Sequence, residues 1–101
     1  MTVKLVALWG TPTDVDGFEK YYASTHLPLV AGLPGLSGAV ASKALDGAYY
    51  RVAELIFDDG DALQKAIGST EGAALLADSG HIQETFGAKL DVVTVAEETR
   101  I

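Results

Sequence analysis

Two side chains in the segment Tyr21–Leu36, which reads YYASTHLPLVAGLPGL, have the types and the spacing to carry chemistry. Tyr22 and His26 are four residues apart, so both lie on one face of a helix. A histidine can act as an acid or a base near neutral pH. We therefore expect His26 to be the catalytic acid or base and Tyr22 to bond a substrate oxygen or His26. Tyr21 is turned aside by about 100° and is expected to be structural.

A structural role is the alternative for both catalytic candidates. His26 would then be a core histidine bonded to a backbone carbonyl at the helix-to-loop junction. Tyr22 would be a core aromatic residue whose hydroxyl finds a partner.

Three further residues are candidates for substrate binding. Trp9 ends a predicted strand and would form an aromatic wall, or it would simply be core. Glu54 is placed by strand alternation on the same face as Tyr50. A carboxylate in such a position needs a partner, because burying an unpaired charge is costly. Glu54 would accept a proton, or it would pair with Arg51 or Lys43 at the sheet edge or dimer seam.

The remaining signatures of cofactor sites are missing. His81 and His26 have no metal-ligand spacing, and the chain has no cysteine. There is no glycine-rich phosphate loop at a helix start and no G-x-S-x-G elbow. We expect neither a metal nor another cofactor.

The charge and the length of the chain restrict its partners and its location. A net charge of −7 argues against nucleic acid and against an anionic membrane surface as partners. The apolar start, MTVKLVALWG, is too short for a membrane span and lacks a signal-peptide cleavage site. We expect a cytoplasmic protein with one domain, residues 1–101.

The elements that must position these residues follow from periodicity and turn signals. We predict strands over residues 3–9, 36–44, 49–57 and 89–97, a helix after Asp14 that Pro28 ends, and helical segments after Asp58–Asp61 and Ser69–Glu71. Val15, Phe18, Tyr22 and His26 would share one face of the first helix. The order β-α-β-β-α-β predicts an α+β fold of the ferredoxin-like type.

Both faces of the predicted sheet are apolar. In the first strand Val6 and Leu8 point away from Leu5 and Trp9, and the last strand alternates in the same way. Helices cover only one face of a ferredoxin-like sheet, so the other face would expose a large apolar patch. We therefore predict a homodimer whose two sheets pack face to face into a shared barrel.

Several segments resemble the EthD family, whose members were first tied to bacterial ethyl tert-butyl ether degradation. The pattern F-x-x-Y-Y-x-x-x-H-x-P-L starts at Phe18, and PGL, AELIFDD and STEGAALLAD follow in order. The segment Gly80–Gly87 matches no part of that pattern. The resemblance implies the dimeric α/β-barrel superfamily, which includes monooxygenases without metal or flavin, lactone isomerases, polyketide cyclases and haem-binding members.

The residues and the resemblance together predict a small enzyme without a cofactor. It would carry out acid–base or oxidoreductase-type chemistry, as a monooxygenase or as an isomerase or cyclase, on a hydrophobic compound of a degradation or secondary-metabolism pathway. The alternative is a non-catalytic binding or accessory protein for a hydrophobic intermediate or a partner oxygenase. Haem binding through His26 is a third hypothesis, less favoured because related barrels place the haem histidine elsewhere.

Overall fold

The computed structural model describes all 101 residues as one four-stranded sheet with helices on one face. The strands are β1 (Val3–Trp9), β2 (Leu36–Lys43), β3 (Arg51–Phe57) and β4 (Leu90–Ala96). The helices are α1 (Val15–Tyr21), α2 (Leu27–Ala31), α3 (Gly60–Ile67) and α4 (Thr70–Phe86). A π-helical turn (Tyr22–His26) lies between α1 and α2. The strand order is β2-β3-β1-β4, and every neighbouring pair is antiparallel. The predicted α+β, ferredoxin-like fold is confirmed.

Three helices begin at the capping residues that the sequence indicates. The side chains of Asp14, Asp59 and Ser69 each accept a hydrogen bond from the backbone amide three residues later, at 3.0, 2.8 and 3.0 Å. Each bond satisfies an amide that the first turn of a helix leaves free. These caps fix where α1, α3 and α4 start, and therefore which residues they turn toward the sheet.

Pro28 does not end the first helical segment, contrary to the expectation from the sequence. The chain passes through the π-helical turn, in which the Leu27 amide bonds the Tyr22 carbonyl five residues earlier, and it continues as α2. Pro28 lies in the first turn of α2, where a residue without an amide proton is tolerated. The helical stretch therefore runs on beyond His26 and ends at Ala31.

The segment Gly80–Gly87 forms the last part of α4 and its end. Gly87 has a left-handed backbone with φ of 70°, and a Cβ atom there would collide with the Thr13 hydroxyl. Only glycine adopts this conformation without strain, and it is the common residue after a helix. The close approach fixes the end of α4 against the start of α1.

The two faces of the sheet differ as the alternation predicts. Trp9, Leu55 and Phe57 lie beneath the helices and are buried. On the other face Val6 is paired with Val93, which is 47% exposed, and no helix covers them. The helix-covered face holds the core and the cavity described next.

Candidate functional site

A cavity of about 210 Å³ lies between the sheet and the helices. Sixteen of its 19 lining residues are hydrophobic, contributed by β1, β3, β4 and the helices. The three exceptions are Gly72, Ser79 and His26, and the hydrophobic residues include the aromatic rings of Trp9 and Tyr22. The Ser79 hydroxyl donates to the Leu75 carbonyl at 3.0 Å and is thereby engaged. His26 is therefore the side chain in this cavity that is equipped for acid–base chemistry.

His26 is backed by a carboxylate from another element. Its Nδ1 lies 2.8 Å from Oδ2 of Asp78 in α4, and both side chains are almost fully buried, at 6% and 11% exposure. This geometry favours the neutral tautomer in which Nδ1 donates its proton to the carboxylate, so that the ring orientation is fixed and the lone pair is on Nε2. An aspartate behind a histidine in this way is a common arrangement for a general base.

The second ring nitrogen of His26, Nε2, is unpaired. Nε2 has no hydrogen-bond partner in the chain, and it is not among the fully enclosed unpaired atoms, which are Trp9 Nε1 and the hydroxyl oxygens of Tyr22 and Tyr50. His26 lines the cavity, and Nε2 is its ring nitrogen without a partner in the chain.

Tyr21 holds the carboxylate from the other side. Its hydroxyl donates to Oδ1 of Asp78, so the two oxygens of the carboxylate accept from Tyr21 and His26. This bond raises the pKa of the Tyr21 hydroxyl, because it favours the protonated donor. Tyr21 was expected to be structural, and its position makes it a support for Asp78.

The π-helical turn brings three rings into one stack. The rings of Phe18 and Tyr22 lie 5.1 Å apart and those of Tyr22 and His26 lie 5.6 Å apart, with interplanar angles of 17° and 18°. Trp9 meets His26 edge-on at 5.6 Å. Val15, expected on the same helix face, is instead exposed. The aromatic packing leaves His26 little freedom to turn away from Asp78.

Tyr22 does not bond His26, which was one of its two expected roles. Its hydroxyl is fully enclosed and has no partner in the chain. Burial raises the pKa of this hydroxyl, so Tyr22 is neutral at physiological pH. The Arg51 guanidinium lies 5.5 Å from the Tyr22 ring and is held by Glu19 through bonds of 3.1 and 2.7 Å. Tyr22 contributes its ring to the cavity wall.

Trp9 lines the cavity, whereas the other two predicted binding residues do not. Tyr50 packs edge-on against Phe18, with ring centroids 5.9 Å apart. Glu54 lies on the helix-free face, where its carboxylate is 3.8 Å from the Lys4 ammonium. The expected partners, Arg51 and Lys43, were wrong because these two residues are paired across β3 and β2 on the opposite face of the sheet.

No helix has the length and the apolar character needed to cross a membrane.

His81, the second histidine, does not form a metal site with His26. His81 is exposed on α4, with its Nδ1 3.4 Å from the Thr85 hydroxyl. It lies away from the cavity, and no group of three or more His, Asp or Glu side chains converges anywhere in the chain.

Asp78 is the functional residue that the sequence-based reasoning missed. It lies 52 residues from His26, and nothing in the local pattern of either links them. One signal was present: Asp78 stands between Leu75 and Ile82 on the inward side of a helix. A carboxylate in that position needs a partner.

Fold and cavity together define a ferredoxin-like α+β domain with an apolar interior cavity, and known proteins share the fold. The EthD domain model matches residues 11–85, so the chain belongs to the EthD family. An uncharacterized 11.0 kDa protein of Rhodococcus erythropolis, encoded in the thcB-thcC intergenic region, is 31% identical over 80 residues, which is 74% of this chain and 78% of that protein.

Two solved structures show the same fold over nearly the whole chain. An EthD family protein from Bacillus halodurans is 30% identical, with a TM-score of 0.87 over 97% of this chain and 100% of that one. SnoaB from Streptomyces nogalater, a cofactor-independent oxygenase, is 15% identical, with a TM-score of 0.73 over 99% of this chain and 96% of that one. At that identity the likeness to SnoaB shows the fold alone.

Proposed function

We propose that this protein is an enzyme that removes or returns a proton on a hydrophobic small molecule, with His26 as the general base. The observation that carries the proposal is the Asp78-backed imidazole in the wall of an apolar cavity. Trp9 and Tyr22 supply aromatic walls against which a flat ligand packs.

The chemistry follows from the protonation states. Neutral His26 keeps its proton on Nδ1 and takes the substrate proton on Nε2. The resulting imidazolium is stabilised by the Asp78 carboxylate at 2.8 Å. Because the wall of the cavity is almost entirely apolar, this charge pair is stronger than it would be in solution. The imidazolium in turn stabilises the substrate anion beside it.

A substrate anion formed in this way is the common first intermediate of several reactions. Return of the proton to a different atom gives isomerisation, and attack on a carbonyl carbon gives cyclisation. With dioxygen as the oxidant, an activated methylene becomes a carbonyl, with one oxygen atom in the product and the other in water. The fold shared with SnoaB is compatible with the oxidative branch.

A neutral bicyclic compound tests the base without knowledge of the natural substrate. 5-Nitrobenzisoxazole loses its ring C–H proton to a base, its N–O bond breaks, and a coloured cyanophenolate forms. We expect His26→Ala to abolish the protein-catalysed reaction while the thermal unfolding curve is retained. His81→Ala, which removes the other histidine of the chain, is the matched control and should react as the parent does. An undiminished rate in His26→Ala would exclude the proposed base.

A binding or accessory protein is the alternative, and the same experiment separates the two. A carrier uses the cavity but has no need of a carboxylate behind the histidine. It would bind the probe in the parent and in His26→Ala without opening the ring in either.

We further propose that the enzyme is a homodimer formed by the helix-free sheet face. That face exposes Val40, Val93 and Val95, which are 52%, 47% and 39% accessible. A second copy packed against it would remove this patch from water. Light scattering should give about twice the chain mass at micromolar protein. Val93→Glu should give the monomer mass, whereas Leu45→Glu, in the exposed β2–β3 connection, should not. A monomeric parent would contradict the proposal.

A further inference from the structure

We infer that the cavity selects electrically neutral ligands, one or two rings in size and bearing a carbonyl or phenol, and discriminates against carboxylates of the same shape. This inference rests on the proposed function, since it assigns a substrate class to the His26 site. It comes from the charges in and around the cavity rather than from the identity of the base.

The cavity wall holds no permanent cation for an anionic ligand. None of its 19 lining residues is a lysine or an arginine. The guanidinium beside the site, that of Arg51, lies against the Tyr22 ring outside the lining, and both of its bonded donors go to Glu19. A carboxylate in the cavity would therefore lose its hydration without gaining a free counter-charge.

The His26–Asp78 pair adds to the preference for a neutral ligand over a carboxylate. With neutral His26 the pair carries the single negative charge of Asp78, and a neutral ligand leaves the site at −1. Proton transfer conserves that total, because the ligand becomes an anion as His26 becomes a cation. A carboxylate ligand would raise the total to −2 before any chemistry, in a chain whose net charge is already −7.

The size and the mouth of the cavity set the rest of the ligand class. A volume of about 210 Å³ is larger than the roughly 150 Å³ of an apolar protein cavity that binds benzene. Ile67, Leu76 and Val92 line the cavity and are also exposed, at 50%, 74% and 52%. The opening is thus apolar as well, and it gives an entering anion no cation.

The test is the binding of an isosteric pair, 2-acetylnaphthalene and 2-naphthoate, measured by titration calorimetry at pH 7 with the parent protein. The ketone carries a methyl group where the carboxylate carries a charged oxygen. We expect the ketone to bind at least about tenfold more tightly than the carboxylate. Equal binding, tighter binding of naphthoate, or no binding of the ketone up to its solubility limit would each overturn the inference.

A variant at the mouth tests the cause. Leu76→Lys places the missing cation at an exposed lining position, where the substitution leaves the core untouched. We expect Leu76→Lys to strengthen naphthoate binding severalfold and to reduce the ratio of ketone affinity to naphthoate affinity. Leu76→Gln, the neutral control, should bind naphthoate as weakly as the parent does. The same naphthoate affinity in the two variants would show that charge does not set the preference.

The inference and the proposed function fail separately. If His26→Ala keeps the ring-opening rate while the ketone still binds in preference to the carboxylate, the base is wrong and the ligand class stands. If the ring-opening rate depends on His26 but naphthoate binds as tightly as the ketone, the base stands and the inference is overturned.

Discussion

Replacing Asp78 by asparagine isolates the contribution of the carboxylate behind His26. The substitution keeps the size of the side chain and removes its charge. In the parent, Oδ2 lies 2.8 Å from His26 Nδ1, and Oδ1 accepts the Tyr21 hydroxyl. With charge centres about 4 Å apart and an effective dielectric constant of about 20, the full ion pair is worth about 4 kcal/mol. Half of that, about 2 kcal/mol, applies if the proton is half transferred in the transition state.

These energies convert directly into a rate. At 1.36 kcal/mol per factor of ten, Asp78→Asn should slow the opening of 5-nitrobenzisoxazole by between about 30-fold and 1,000-fold. Glu84→Gln is the control, because it makes the same change of charge at an exposed position of the same helix. Equal rates for Asp78→Asn and Glu84→Gln would show that the Asp78 charge does not assist the base.

The geometry around Asp78 predicts a second effect of the same variant. The Tyr21 hydroxyl is a donor, so it favours the amide oxygen on its side and turns the amide NH₂ toward His26. A donor facing Nδ1 drives the ring proton to Nε2, which then cannot accept a proton. Adding Tyr21→Phe frees the amide to flip, and we expect the double variant to recover part of the lost rate.

Two other predictions concern the surroundings of the site. Tyr22→Phe removes an enclosed hydroxyl that has no hydrogen-bond partner in the chain. The free energy of unfolding in urea should therefore stay the same or rise by up to about 1 kcal/mol. A fall of more than about 1 kcal/mol would mean that the hydroxyl has a hydrogen-bond partner in solution. The Arg51 bonds lower the pKa of Glu19 below its unfolded value, so the pair stabilises the fold above about pH 4.3 and loses that effect as the pH falls through the lowered pKa. Glu19→Gln should therefore cost about 1 kcal/mol at pH 7 and progressively less in acid, and a cost that is the same at pH 7 and pH 3 would contradict this ion pair.

The fold could be predicted because its determinants are local. The alternation of β1 and β4, and the capping side chains of Asp14, Asp59 and Ser69, act within a few residues of the chain. Pro28 shows the limit of such reasoning. A proline that usually stops a helix is tolerated here, because the π-helical turn before it restarts the hydrogen-bond pattern.

The site could be predicted only in part, because it is assembled from distant segments. His26, Tyr22 and Trp9 were placed by periodicity, and all three line the cavity. The partner of His26 depends on how α4 packs against the π-helical turn, which no local pattern specifies. The partner of Glu54 could not be predicted for a similar reason, since the Lys4 ammonium belongs to β1, a neighbouring strand.

The tautomer of His26 decides whether this histidine can act as the base. The chain has two histidines, so long-range ¹H–¹⁵N spectra of the ¹⁵N-histidine-labelled protein contain two rings, and His81→Ala assigns them. For neutral His26 we predict the proton on Nδ1, bonded to Asp78, and an unprotonated Nε2 whose resonance moves when 2-acetylnaphthalene is added. A proton on Nε2, or an Nε2 resonance that does not respond to the bound ketone, would contradict the assignment of His26 as the base in this cavity.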